Sequence, residues 1–227
     1  MRIRLVILLI LSAISLRSFA QGGGTPTYRL EGQAALLSNA VENGLSQSDH
    51  DPSLQGSFWF HFGPQFRLGV SGASVAYEGQ STHFLMRLNA DLKIDFSKDT
   101  NLVLSYSNER YYKSEGRDGN VFGLSFDLYS FGVHYRRHSN FYGTKDGATS
   151  YAFSKTWSVW QAWRWQNLLG YMTLEAPGAS NYFFYETFLA RNWNSLEYAV
   201  GGSYNSAASQ FHSAGKPALI LKAAVSF

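Results

Sequence analysis

The sequence has no cysteine. Neither a disulfide nor lipid attachment at a cleaved cysteine is therefore available to it. It also lacks a long hydrophobic run. The one continuous apolar stretch, Leu5 to Ile14, is about ten residues, where a membrane-crossing helix needs about 20. Charge is scarce, at 15% of residues, and proline is scarcer, with five in 227. Net charge is low once its distribution is considered. The whole chain carries +3, but three of its 19 basic residues, Arg2, Arg4 and Arg17, lie in the first 20 positions, which hold no acid. Residues 21–227 balance 16 bases against 16 acids, so no electrostatic case for a nucleic-acid partner exists.

The abundant class is aromatic, at 16% of residues. It is distributed along segments that alternate apolar and polar side chains with a period of two. The first 20 residues read differently. A basic start, a short apolar run and the small-x-small site Ser18-Phe19-Ala20 predict a secretory signal peptide over 1–20. The remainder, 21–227, reads as one domain.

After a Gly-rich lead-in from Gln21 to Pro26, Tyr28, Leu30, Gly32, Ala34 and Leu36 alternate with Arg29, Glu31, Gln33 and Ala35. Phe58, Phe60 and Phe62 alternate with Ser57, Trp59 and His61, and Gly63-Pro64 makes a turn. Phe84, Met86, Leu88, Ala90, Leu92 and Ile94 oppose Leu85, Arg87, Asn89, Asp91 and Lys93. A helix would place apolar residues three and four apart, and here they are two apart. Continued to the end, the pattern predicts twelve strands, near 28–36, 54–62, 66–77, 84–94, 102–112, 122–128, 131–138, 150–157, 163–174, 182–190, 196–204 and 218–227. A count of ten is the alternative, with the eighth and tenth strands weakest. Connections alternate between short turns and longer polar loops, among them Ser38–Pro52, Glu78–Thr82 and Asn205–Pro217.

This pattern predicts an all-β fold, a transmembrane antiparallel up-and-down β-barrel in the bacterial outer membrane. In hydrocarbon every backbone N–H and C=O must be paired within the protein, so a strand protein must close on itself. An even strand count leaves both ends on the periplasmic side. The last segment, Ala218 to Phe227, has an apolar face of Leu219, Leu221, Ala223, Val225 and Phe227, and suits a closing strand. Outer-membrane lipid and, through that strand, the barrel-assembly machinery are the expected partners. A secreted β-sandwich binding module is the alternative architecture. Twelve strands fall between filled eight-stranded barrels and open porins, so a narrow or plugged lumen is expected.

The inward register collects Arg29, Glu31, Arg67, Arg87, Asp91, Lys93, Glu109, Asp127, His134, Arg136, Arg164, Glu186, Glu197 and Lys222 as candidate lumen-lining residues. One reading is a compensating salt-bridge lattice; the other is a selective polar pore. Trp157, Trp160, Trp163 and Trp165, four of six tryptophans, gather at one hairpin turn. With Phe227 they are candidates for an interfacial girdle, because indole favours headgroup depth; a carbohydrate-stacking platform is the alternative.

Catalytic signals are sparse. Outer-membrane acyl hydrolases place His and Ser two apart on a strand, so that both point one way. Here His138 and Ser139 are adjacent, which sends them to opposite faces of a regular strand. A lipid-acting hydrolase is thus the alternative to a channel or a structural barrel. His134 and His138 share a face without an evident third ligand, and Asp49 and Asp51 lack the rest of a calcium loop. No metal site, catalytic residue or cofactor is read from the sequence.

The stretch Leu37 to Val75 resembles the opening of the Gcw_chp-type family of bacterial proteins. The resemblance rests on Ser38, Gly44-Leu45-Ser46-Gln47-Ser48 and Pro52-Ser53-Leu54-Gln55-Gly56, against a family pattern of S-x-Y-x-x-R-G-x-S-Q-T followed by P-x-x-Q-G and an aromatic strand. Ala40 stands where the family has an aromatic, and Asn43 where it has Arg. The resemblance implies an outer-membrane barrel of unknown function and carries no activity with it.

Overall fold

The computed structural model describes residues 28–77, 84–113 and 116–227. The expected signal peptide, the Gly-rich lead-in and the Glu78–Thr82 loop lie outside the described residues.

Alternating sequence becomes wall. Twelve strands close into an antiparallel barrel: β1 (Tyr28–Leu37), β4 (Ser53–Phe62), β5 (Phe66–Ser74), β6 (Phe84–Ser97), β7 (Thr100–Tyr112), β8 (Gly119–Leu128), β9 (Phe131–His138), β10 (Ala148–Trp160), β11 (Trp163–Leu174), β12 (Tyr182–Trp193), β13 (Leu196–Asn205) and β14 (Ala218–Ser226). Two short strands, β2 (Val41–Glu42) and β3 (Leu45–Ser46), form a separate hairpin. Each wall strand pairs with its sequence neighbour, and β1 pairs with both β4 and β14, so no edge is left open. Two stacked sheets, the sandwich alternative, would leave edges that this closure removes. The eighth and tenth wall strands are full members of 13 and 12 residues, which fixes the count at twelve rather than ten.

Register decides which solvent each side chain meets. Phe58, Phe60, Leu68, Val70, Leu88, Val133, Phe153, Leu169, Val200 and Leu221 face outward and are exposed. Such an apolar outer surface is unfavourable in water and favourable against acyl chains. Aromatic residues stand along the outer face and at its rims. At the short-turn rim stand Phe62, Phe96, Tyr129, Phe131, Trp157, Trp160, Trp193 and Phe227, all exposed. Trp157 and Trp165 pair across β10 and β11 with ring centroids 5.1 Å apart, and Trp163 takes the Arg191 guanidinium at 5.6 Å. A bulge between Ser158 and Trp160 lies beside this turn.

Two segments depart from the sequence reading. The third wall strand, expected to reach Tyr77, ends at Ser74. Beyond it the chain leaves the wall and pairs instead with the β2–β3 segment: Ala76 N–H donates to the Gln47 carbonyl at 2.9 Å, and Ser48 and Ala76 form a parallel bridge. The Ser38–Pro52 segment is a hairpin that enters the barrel. Its tip, Asn43-Gly44, has φ of 53° and 73° at the two turn residues, as a two-residue hairpin with both central residues left-handed requires.

Candidate functional site

The site is the lumen at the level where the β2–β3 hairpin narrows it. The hairpin leans on one side of the wall. Leu45 is fully buried in a cluster with Phe141, Ala148, Met172, Tyr182 and Phe184. Gly44 N–H donates to Glu186 Oε1 at 2.9 Å, and Tyr182 Oη donates to the Asn43 carbonyl at 3.2 Å. The stem is tied outward as well. Tyr77 Oη donates to Gln47 Oε1 at 2.7 Å, and Ser46 Oγ donates to Asn39 Oδ1 at 2.6 Å. His50 Nε2 meets the Ser213 carbonyl at 2.7 Å, from the 3₁₀ segment Ala208–Gly215 of the last loop.

Space remains around the hairpin. A cavity of about 310 Å³ is bounded by the hairpin residues Val41, Glu42 and Asn43, by Val75, and by Gln55, Ala73, Leu85, Arg87, Arg136, Ala152, Leu168 and Glu186 of the wall. A second cavity, about 180 Å³, shares Gln55, Ala73, Leu85 and Arg87 with it and continues to Gln33, Ser57, Ser71 and Lys222. A third, about 320 Å³, lies among the longer loops, lined by Tyr77, Arg117, Phe141, Tyr142 and Phe211.

Glu42 controls the charge at the narrow point. Arg87 Nη2 donates to Glu42 Oε2 at 2.6 Å, and Arg136 Nη1 to Glu42 Oε1 at 3.4 Å. Arg87 also donates through Nε to Glu109 Oε1 at 2.6 Å. Burial alone would raise the Glu42 pKa. The Arg87 and Arg136 guanidinium groups outweigh burial and hold it down at about 2.

The strand register puts every sequence-predicted lumen candidate on the face shared with Arg87. Most of them are paired. Arg67 meets Asp91 at 2.7 Å and lies over the Trp59 ring at 4.2 Å. Lys93 meets Asp95 at 2.8 Å. Glu197 bridges Arg164 at 2.7 Å and Lys222 at 2.8 Å. Arg29 and Glu31 pair at 2.7 Å near the short-turn rim, where both are well exposed. The His134 ring sits between Ser125 Oγ at 3.0 Å and Ser154 Oγ at 2.8 Å, with Asp127 close by at Gly132. Arg87, Glu109, Arg136 and Glu186 are brought together by the hairpin. The Arg67–Asp91 and Arg164–Glu197–Lys222 groups are separate clusters on the wall.

Sequence reasoning missed Glu42, Asn43 and Gly44. The available signal was the Asn-Gly pair, a strong hairpin mark, buried in a run otherwise read as a polar loop.

His138 and Ser139 part as their adjacency demands. His138 is buried on the inner face with its ring against Phe141 at 5.5 Å. Ser139 Oγ instead accepts the Asn120 N–H at 2.8 Å. Among the described residues no group of three His, Cys, Asp or Glu side chains is placed to hold a metal ion.

A closed twelve-strand wall, apolar outside and charge-paired inside, defines a bacterial outer-membrane β-barrel. Solved porins share the architecture. The KdgM porin superposes with a TM-score of 0.58 at 9% identity, over 88% of this chain and 98% of its own. The NanC porin superposes with a TM-score of 0.61 at 8% identity, over 88% of this chain and 99% of its own. The KdgM porin has also been solved with disordered oligogalacturonate, and that structure superposes with a TM-score of 0.56. No family model and no curated protein sequence matches the chain.

Proposed function

We propose that the chain is a narrow outer-membrane channel for small polar solutes, with the β2–β3 hairpin as its constriction. The observation that carries this reading is the pair of adjoining cavities past the hairpin, which share Gln55, Ala73, Leu85 and Arg87. The fold likeness to the KdgM and NanC porins supports a channel, and the tight gap beside the hairpin favours small solutes over an extended oligosaccharide. The Gcw_chp-type resemblance belongs with this reading, since Leu37 to Val75 spans the hairpin, β4 and β5.

Single-channel recording in planar bilayers tests it. Wild-type protein should give small discrete steps. A variant with Val41–Ser46 replaced by two glycines should give steps several-fold larger. No current from either protein rejects the channel. Equal steps reject the hairpin as its constriction.

A further inference from the structure

Arg136 is half exposed, and Glu42 is its one ion-pair partner among the described residues. Arg87 divides its guanidinium between two carboxylates, using Nε for Glu109 and Nη2 for Glu42. Thus one carboxylate spans two cations, and it comes from the hairpin rather than the wall. The hairpin backbone is fixed by Leu45, by the Gly44–Glu186 hydrogen bond and by its stem. The Glu42 side chain is held at its carboxylate alone, by Arg87 and Arg136. It borders the 310 Å³ cavity and can turn into it while the backbone stays in place.

The cavity has two chemical sides. The guanidinium groups of Arg87 and Arg136 form one. Ala73, Val75 and Leu85, one buried apolar cluster close to Arg87, form an apolar one. A ligand that matches both carries a single carboxylate on a short apolar tail. Glu42 itself is that chemistry, tethered.

We propose that Arg87 and Arg136 form a binding site for a small monocarboxylate solute, that Glu42 occupies this site at rest, and that the solute binds by displacing the Glu42 side chain. The proposal builds on the reading of the lumen as a solute path, but binding can be measured without current.

Equilibrium binding of labelled propionate to the folded full-length barrel in detergent, at low salt, is the test. Glu42→Gln removes the tethered rival and should tighten propionate binding about tenfold, the scale of one charge-assisted hydrogen bond. Arg136→Gln should weaken it by about the same factor, and Arg87 still pairs with Glu42 and Glu109 there. Propionamide, of the same shape without charge, should not compete. Equal affinity in wild type and Glu42→Gln, or competition by propionamide, overturns the proposal. If Glu42→Gln does not fold, Glu42→Asp serves instead: the shorter carboxylate reaches the guanidinium pair less well, and unchanged binding there also overturns it. Propionate binding that responds to Glu42 in a barrel without current leaves this site standing and rejects the channel. Current without propionate binding does the reverse.

Discussion

The Gly44 amide and the Glu186 carboxylate, 142 residues apart in sequence, meet at 2.9 Å inside the barrel. That hydrogen bond holds the hairpin tip against β12. Gly44 is suited to the place for two reasons. Its φ of 73° is a left-handed conformation, and a Cβ there would come within 2.6 Å of the Phe184 Cβ. Gly44→Ala is expected to destabilise the docked tip by about 1–3 kcal/mol. Hydrogen exchange should show this as faster exchange over 40–47, with the wall strands unchanged.

Leu45 holds the same tip by burial. It is fully enclosed, and truncation to alanine removes contacts that the rigid wall cannot refill. Leu45→Ala should cost about 2–5 kcal/mol, drawn from docking rather than from wall closure. The expected result is noisier and larger conductance steps with unchanged heat-modifiable mobility on gels. Loss of heat-modifiable mobility would mean that the hairpin supports the whole barrel.

The wall was legible in the sequence and the hairpin was not, for a physical reason. A wall strand lies between two solvents, so alternation such as Phe58-Trp59-Phe60-His61 is imposed over eight or more residues. The strands β2 and β3 have two residues each and lie inside protein, so no period accumulates. Candidate lumen charges could be assigned from strand parity alone. Their partners could not, since Arg87 to Glu109 depends on register and Arg87 to Glu42 on a loop that folds inward. The end of β5 was misplaced for the same cause. Val75 and Tyr77 are two apart, as wall residues are, but in the opposite parity to Phe66, Leu68 and Val70; they are buried inside, and the backbone between them pairs with the hairpin instead of the wall.

The tryptophan group at the β10–β11 turn should sit at headgroup depth. The Trp157 and Trp165 rings meet at a tilt with centroids 5.1 Å apart, and Trp165 Nε1 donates to Thr187 Oγ1 at 2.8 Å. In vesicles, lipids brominated near the headgroup should quench emission more than lipids brominated at the chain ends. Trp157→Ala with Trp165→Ala should reduce that difference. Equal quenching at both depths would argue against a girdle.

Phe227 closes the seam between β1 and the final strand. Its N–H donates to the Gly32 carbonyl at 3.0 Å, and Gly32 N–H donates to the Phe227 carbonyl at 2.8 Å. The Phe227 ring covers Gly32 and meets Phe58 edge-on, with centroids 5.8 Å apart. Phe227→Ala keeps the backbone bonds and removes the cover. If the assembly machinery engages this strand through its aromatic end, the variant should accumulate less folded barrel in outer-membrane fractions while refolding in detergent nearly as well as wild type. Equal loss in both settings would assign Phe227 to stability alone.

Acid should loosen the constriction through Glu42, and the sign is set by the direction of its shift. Its folded pKa, about 2, lies below the ordinary value of 4.5, so the undocked hairpin binds a proton more readily than the docked one. The ionised carboxylate therefore contributes its full stabilisation above about pH 4.5, and that contribution fades as pH falls toward 2. Conductance and hydrogen exchange over 40–47 should be flat from pH 7 to 5 with respect to this group and rise below that. In Glu42→Gln the side chain carries no charge at any pH. The acid-dependent rise should shrink in that variant, and protection at pH 7 should already be reduced. A rise of equal size in wild type and Glu42→Gln would show that some other carboxylate, such as Glu109 beside the same Arg87, governs the response.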